Sequence, residues 1–183
     1  MIRLVLFFSL VFSSFVGIAQ TRYFTKTGTI SFMAGTSVED IDGVNKSVTS
    51  VFDTSTGQIE FAVLIKGFEF KRGLMQEHFN ENYMESEMYK KATFKGKFED
   101  VAQINFKKDG SYKVVVKGTL EIHGVKKEIE VPGVIKVTNG IISSEATFKI
   151  VLEDYNIKIP GAVKDKISPT AEIHTLCEYK ELK

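Results

Sequence analysis

One property limits this chain more than any other: stretch after stretch alternates apolar and polar residues with a period of two. In "SYKVVVKGTLEIHG", Tyr112, Val114, Val116, Leu120 and Ile122 share one face with Gly118, while Lys113, Lys117, Thr119 and Glu121 share the other. Val115 is the exception. Successive side chains of a strand point to opposite sides, so this pattern predicts a strand with one buried face and belongs to antiparallel sheet. The same grouping places Ile59, Phe61, Val63 and Ile65 together, Phe94 with Gly96 and Phe98, and Ala146 with Phe148, Ile150 and Leu152. Late in the chain Ala171, Ile173, Thr175, Cys177 and Tyr179 lie opposite Glu172, His174, Leu176 and Glu178.

Turn chemistry separates these runs. Asp53-Thr-Ser-Thr-Gly57, Lys108-Asp109-Gly110, His123-Gly124, Asn139-Gly140 and the Pro-Gly pairs at 132–133 and 160–161 all favour reversal of the chain. Strands of this length at this spacing imply a sandwich or a barrel. About eight or nine of them suit a closed antiparallel barrel, whose interior at eight strands is just wide enough for one small ligand. The predicted class is therefore all-β with one short helix.

The helix is expected where alternation fails. In "LMQEHFNENYMESEMYKKATF", from Leu74 to Phe94, Met75, Phe79 and Tyr83 follow i, i+4, i+8 spacing, so a helix is predicted from about Arg72 to Asn80, with an irregular turn before a strand at Lys91. Such a segment either packs outside a barrel or closes one end.

The N-terminus reads as an export leader. Arg3 precedes an apolar run from Leu4 to Ile18, and small residues at Gly17 and Ala19 predict cleavage after Ala19. The run is short for a bilayer span and no second one follows, so stable membrane insertion is not expected. Residues 20–183 then form one domain, periplasmic or secreted. With the leader removed, Arg3 goes too, and the 24 Lys and Arg against 23 Asp and Glu of the full chain become equal numbers. A neutral chain carries no electrostatic footprint for nucleic acid. Cys177 is the only cysteine, so no internal disulfide supports the fold.

Catalytic and metal chemistry find little in this chain. His78, His123 and His174 lack metal-ligand spacing, and His78 with Glu77 and Glu81 reads as a solvated helix face. Cys177 sits on an apolar strand face, which predicts an inert buried thiol. No nucleophile elbow or phosphate-binding glycine loop occurs. Glu85 with Glu87, and Glu153 with Asp154, read as solvated or turn residues. Asn45-Lys-Ser47 matches a glycosylation acceptor, a motif frequent by chance. The expectation is no catalytic residue, no metal and no cofactor.

Three short stretches in order carry a resemblance. Tyr89, Ala92 and Phe94 match the end of a loop-to-strand signature, with Lys91 departing from it where proline is usual. "GTLEIHGVKK", Gly118 to Lys127, matches a second, and "DYNIKIP", Asp154 to Pro160, a third. With them the chain resembles the YceI family, exported lipocalin-like proteins that bind polyisoprenoids or other long-chain amphiphiles, and its "HFNENYM" wording is similar to the branch common in Bacteroidetes. The resemblance implies a long antiparallel barrel with an apolar tunnel and a helix-bearing segment near one end. Its implied partner is an apolar lipid or isoprenoid. Deformable Met and aromatic side chains suit a wall that accepts a flexible tail.

Candidate ligand-binding residues follow from the strand faces and this implication: Phe61 and Val63, Phe94, then Val114, Val116 and Leu120, then Phe148 and Ile150, with Met75, Phe79 and Tyr83 at the end. Alternation groups residues without saying which face is inside. A barrel filled by its own side chains, serving as a structural or interaction module, fits the same pattern, and Met75, Phe79, Met84 and Met88 would then be core. A cavity of several hundred Å³ separates the carrier from the filled barrel. A third possibility, an enzyme housed in the barrel, needs an inward titratable group that alternation does not place.

Overall fold

The computed structural model describes residues 22–182; the predicted leader and its cleavage after Ala19 lie outside them. Nine strands form a single antiparallel sheet: β1 (Arg22–Gly35), β2 (Asp42–Asp53), β3 (Gln58–Leu64), the two-residue β4 (Glu69–Phe70), β5 (Lys91–Phe98), β6 (Gly110–Ile122), β7 (Val125–Thr138), β8 (Ile141–Val151) and β9 (Ile167–Glu181). β1 pairs with both β2 and β9, so the sheet closes on itself as an eight-stranded barrel, with β4 attached to the outer half of β2. Closure removes the unpaired edges that an open sheet would expose.

Local chemistry sets the corners. His123-Gly124 and Asn139-Gly140 join β6 to β7 and β7 to β8, and all four residues have positive φ (51, 74, 51 and 78°). Two-residue turns of that kind match the twist of the flanking strands, and they hold Ile122 opposite Val125 and Thr138 opposite Ile141. Between β2 and β3, Asp53 Oδ1 accepts the backbone N–H groups of Ser55 (2.9 Å) and Thr56 (3.2 Å), fixing the turn before the ladder resumes at Gln58. Gly118 faces Gly96 across the β5–β6 pair, and a Cβ there would lie 2.2 Å from the Lys95 carbonyl oxygen. This is a close backbone approach that only glycine permits.

The barrel is solid at one end. At the base, beside Arg22 and the Asn139-Gly140 turn, Phe52 is fully buried and meets Phe98, Phe106 and Tyr179 at ring-centroid distances of 5.0, 5.6 and 6.0 Å. Ile135, Val137, Ile142 and Cys177 complete this plug. The Tyr179 hydroxyl is satisfied by Ser50 Oγ (3.0 Å) and Ser144 Oγ (3.1 Å), which lets a phenol sit in an apolar core.

At the opposite end the chain leaves the sheet twice. The first excursion holds helix α1 (Gly73–His78), which widens into a π-helical turn over Phe79–Tyr83. The helical reading of this stretch therefore stands, with its first turns α-helical and its last a π turn running past Asn80. The second excursion, from Leu152 to Lys166, covers a gap in the wall. Among the described residues the β7–β8 ladder runs only from Gly133–Ala146 to Thr138–Ile141, so the outer halves of those strands are unpaired with each other. Leu152, Tyr155 and Ile157, all buried, fill the space, and Lys127 of β7 meets Asp154 at 2.6 Å.

His123 connects the two excursions. It is buried, with Nδ1 3.1 Å from the Tyr155 carbonyl oxygen, Nε2 2.8 Å from Glu85 Oε2, and its ring 4.4 Å from that of Tyr89. Both ring nitrogens thus have a hydrogen-bond partner. Glu85, expected to be a solvated or turn residue, is half-exposed at a turn and is also one half of a cross-link. His123→Ala should lower stability by about 1–3 kcal/mol, because it strands a buried carbonyl. Thermal denaturation would register the loss, and amide exchange should accelerate first between Glu153 and Ile157.

Asn45, in the motif read as a chance match, has a structural place. It is fully buried, donating through Nδ2 to the Leu64 carbonyl (2.9 Å) and accepting from the Ser47 backbone N–H (2.9 Å). A side chain so placed is a structural bridge between β2 and the end of β3, closed to glycosylation.

Candidate functional site

Between the plugged base and the helix end lies a cavity of about 510 Å³. Its floor is Ile59, Phe98, Val116 and Ile135, and Ser144 and Thr175 are polar positions on its wall. The inward faces predicted by alternation build the sides. Phe61 and Val63 of β3 line it, with Phe94 of β5, Val114, Val116 and Leu120 of β6, and Phe148 and Ile150 of β8. Met75, Phe79 and Tyr83 line it from the helical segment. The structure thus brings all eleven candidate residues to one cavity wall.

Four phenylalanines make the roof. Phe79 lies 5.4 Å from Phe32, 5.5 Å from Phe68 and 4.9 Å from Phe70, so aromatic edges and faces hold the helical segment down, and the Phe70 backbone N–H donates to Gln76 Oε1 (3.3 Å). Met84 is buried beneath it, while Met88 is 70 % exposed and belongs neither to the lining nor to the core. The reason is local: Met88 sits in the turn that closes through the Glu85 carbonyl, which aims its side chain outward. Ile30, Ile122, Ile129 and Ile173 also line the cavity, and their strands show enough alternation to have named them.

Charge gathers at the mouth. Glu39, Arg72, His78 and Lys166 line the cavity where it meets the surface at the helix end. Arg72 Nη2 donates to Glu39 Oε1 at 2.5 Å, and Lys166 Nζ stands 3.5 Å from Glu39 Oε2. The Arg72 hydrogen bond, with the nearby Lys166 charge, holds the Glu39 carboxyl below the usual carboxylate range. Glu145 also reaches the lining, but its carboxylate is paired outward with Lys136 at 3.2 Å. Tyr83 on the wall has its phenol pushed up by burial, as expected beside apolar neighbours. Sequence reasoning missed Glu39, Arg72 and Lys166. They come from three loops far apart in the chain, and only the fold assembles them.

Reactive chemistry does not gather here. Among the described residues no group of three or more His, Cys, Asp or Glu is placed to hold a metal ion. Cys177 is 1 % exposed, and burial pushes its thiol up to about 11. The native protein should therefore react slowly with a charged thiol reagent and quickly once unfolded. Rapid labelling under native conditions would contradict this placement.

A closed antiparallel barrel, plugged at one end and hollow at the other, with an apolar interior and a polar rim, has the lipocalin-like fold. Over residues 18–178 the chain matches the model of the YceI-like domain, and it belongs to that family. Among solved structures it is similar to a polyisoprenoid binding domain from Saccharophagus degradans implicated in plant cell wall breakdown, at TM-score 0.76 and 14 % identity, covering 89 % of this chain and 99 % of that one. BcnA of Burkholderia cenocepacia follows at TM-score 0.70 and 15 % identity, covering 84 % and 96 %. The Campylobacter jejuni YCEI protein superposes at TM-score 0.55 and 21 % identity, covering 77 % and 84 %. A search of curated proteins finds no match. At these identities the solved structures establish the fold. No helix among the described residues is long and apolar enough to cross a membrane.

Proposed function

We propose that the protein is an exported, non-catalytic carrier that shelters a long-chain apolar or amphiphilic molecule, of the polyisoprenoid or isoprenoid-quinone type, inside its barrel. The observation that carries this is the cavity: about 510 Å³ bounded mainly by aliphatic and aromatic side chains, with charge gathered at its rim. That volume falls within the range of small-molecule sites and argues against an interior wholly filled by its own side chains. Family membership and the likeness to a polyisoprenoid binding domain support the same choice of ligand.

Transfer energy explains what such a site accomplishes. Each methylene removed from water gains about 0.8 kcal/mol, so a tail of a dozen carbons gains roughly 10 kcal/mol before ordering costs. A molecule with that tail cannot cross an aqueous compartment freely, and a barrel can carry it without chemistry. The plugged base gives the tail a blind end, so it enters from the helix end and leaves its head at the rim.

Titrating the purified protein with a fluorescent long-chain amphiphile tests this reading. Saturable uptake at one molecule per chain, displaced by a long isoprenoid alcohol, is the expected result. Absence of uptake by protein stripped of lipid would overturn it and favour the ligand-free module. Export is tested separately: the mature N-terminus should be Gln20, and a chain retaining Met1 in the membrane fraction would contradict it.

A further inference from the structure

Two hydroxyl side chains stand on the inner wall of the cavity, away from its charged mouth. Ser144 lies on β8 in step with Ile142, Ala146 and Phe148, and Thr175 lies on β9 in step with Ile173 and Cys177. The ladder sets Ser144 opposite Cys177 and Ala146 opposite Thr175, so Ser144 and Thr175 are diagonal neighbours, about 7 Å apart. Their inward neighbours in the plug, Ile142 and Cys177, are each 1 % exposed, whereas Ser144 and Thr175 are half-buried and both line the cavity. Thr93 also reaches the lining, but it falls between the inward Ala92 and Phe94, which puts its side chain on the outer face.

Both positions are deep, and both keep hydrogen-bonding capacity. From Ile150, at the helix end of β8, back to Ser144 is about 20 Å of strand at the usual rise per residue. Ser144 Oγ is 3.1 Å from the Tyr179 hydroxyl, which is itself 3.0 Å from Ser50 Oγ in the plug. If Ser144 donates to Tyr179 it keeps its lone pairs, and if it accepts it keeps its hydrogen. Thr175 Oγ1 reaches the Ala146 carbonyl oxygen at 3.5 Å, the outer limit of a hydrogen bond, and accepts none among the described residues. A hydrocarbon chain laid across these hydroxyls offers them no partner, which is unfavourable.

We infer, resting on the carrier reading, that Ser144 and Thr175 form a second polar subsite, which takes a small uncharged oxygen function, a hydroxyl or a carbonyl, at the inner end of the ligand's chain. A ligand hydroxyl can donate to one of them and accept from the other; a carbonyl can accept from both. Their ladder partners Ile30, Ile135, Ala146 and Cys177 bring no charge, so an ionised group has no counter-ion at this depth and belongs at the mouth. The cargo is then polar at both ends, with its larger head at the rim and an oxygen between Ser144 and Thr175. A plain hydrocarbon tail is the poorer fit.

Saturated fatty acids, each paired with the same acid bearing a hydroxyl on its last carbon, isolate the subsite. Well above the carboxylate range of pH the acid group is ionised and stays out of the apolar interior, so it fixes which end remains at the mouth. Pairs from dodecanoate to octadecanoate are titrated below micelle formation by displacement of the fluorescent amphiphile. At one chain length the hydroxylated acid should bind at least as tightly as its plain partner. In shorter pairs the hydroxyl stops among apolar side chains and should weaken binding on the order of tenfold. The Ser144→Ala, Thr175→Val double variant, its folding checked by urea unfolding, should show that penalty at the favoured length too. Thr175→Val alone, which leaves the Tyr179 hydroxyl bonds in place, should show part of it. A hydroxyl that weakens binding about equally at every length, with the plain acids still bound, would overturn the subsite and leave the carrier reading standing. A favoured length that survives both substitutions would also overturn the assignment to Ser144 and Thr175. Failure of every acid together with the fluorescent amphiphile would overturn the carrier as well.

Discussion

Phe148→Glu is expected to weaken binding of a long-chain amphiphile by about 30- to 100-fold, while Thr147→Glu, one residue earlier, leaves it unchanged. Phe148 lines the cavity on β8, and Thr147 is exposed on the outer face of the same strand. A carboxylate at 148 must lose its water when a tail enters, or be held protonated, and either costs about 2–3 kcal/mol against binding. Titration of both variants with the same fluorescent amphiphile makes the comparison. If Phe148→Glu binds as tightly as the parent, the tail does not lie where the cavity is. If only Thr147→Glu loses binding, the ligand sits outside the barrel.

The second large effect concerns the base. Phe52→Ala should cost about 3–5 kcal/mol of stability, because Phe52 is fully buried among Phe98, Phe106 and Tyr179, and closed strands on every side prevent collapse into the void. Phe52 does not line the cavity, so ligand affinity measured well below the unfolding transition should persist. Urea unfolding would show a lower midpoint with little change in slope. A loss under about 1 kcal/mol would mean that the base is loosely packed, and the blind end proposed for the tail would then lack its support.

The two predictions divide the barrel into a half that holds ligand and a half that holds the fold. That division was only partly legible in the sequence. Strand faces were readable, because a period of two commits every second residue: the alternation of Val114, Val116 and Leu120 is enough to put them on one wall. What alternation lacks is depth along the strand. Ile173 reaches the cavity wall while Cys177 and Tyr179 fall in the plug, yet all three belong to one apolar face of β9. Pairing partners are equally silent in a single strand. Nothing in "VKKEIEVP" says that β7 keeps its ladder to β6 and loses the one to β8, leaving Leu152, Tyr155 and Ile157 to fill the wall.

Polar cross-links were hidden for a related reason. His123 reads only as a turn residue and Glu85 as a solvated or turn residue, and they meet because β6, the helical segment and the Tyr155 turn converge at one end. Glu39, Arg72 and Lys166 are similar, since each is unremarked in its own loop and all three share one rim. The Met88 side chain shows the converse error. Grouping it with Met75 and Met84 by composition overlooked the turn at Glu85, which reverses the direction of the chain before β5 begins.

The measurement that bears most directly on the apolar cavity as a carrier site is native mass spectrometry of the protein purified from its own host, with lipid extraction of the same sample. A tail held in about 510 Å³ of apolar space should survive purification as a single adduct. That adduct should leave on unfolding, and the extract should yield one long-chain amphiphile in amounts near one per chain. Bare protein that also refuses every long-chain amphiphile offered to it would contradict the carrier and leave a hollow barrel without a ligand.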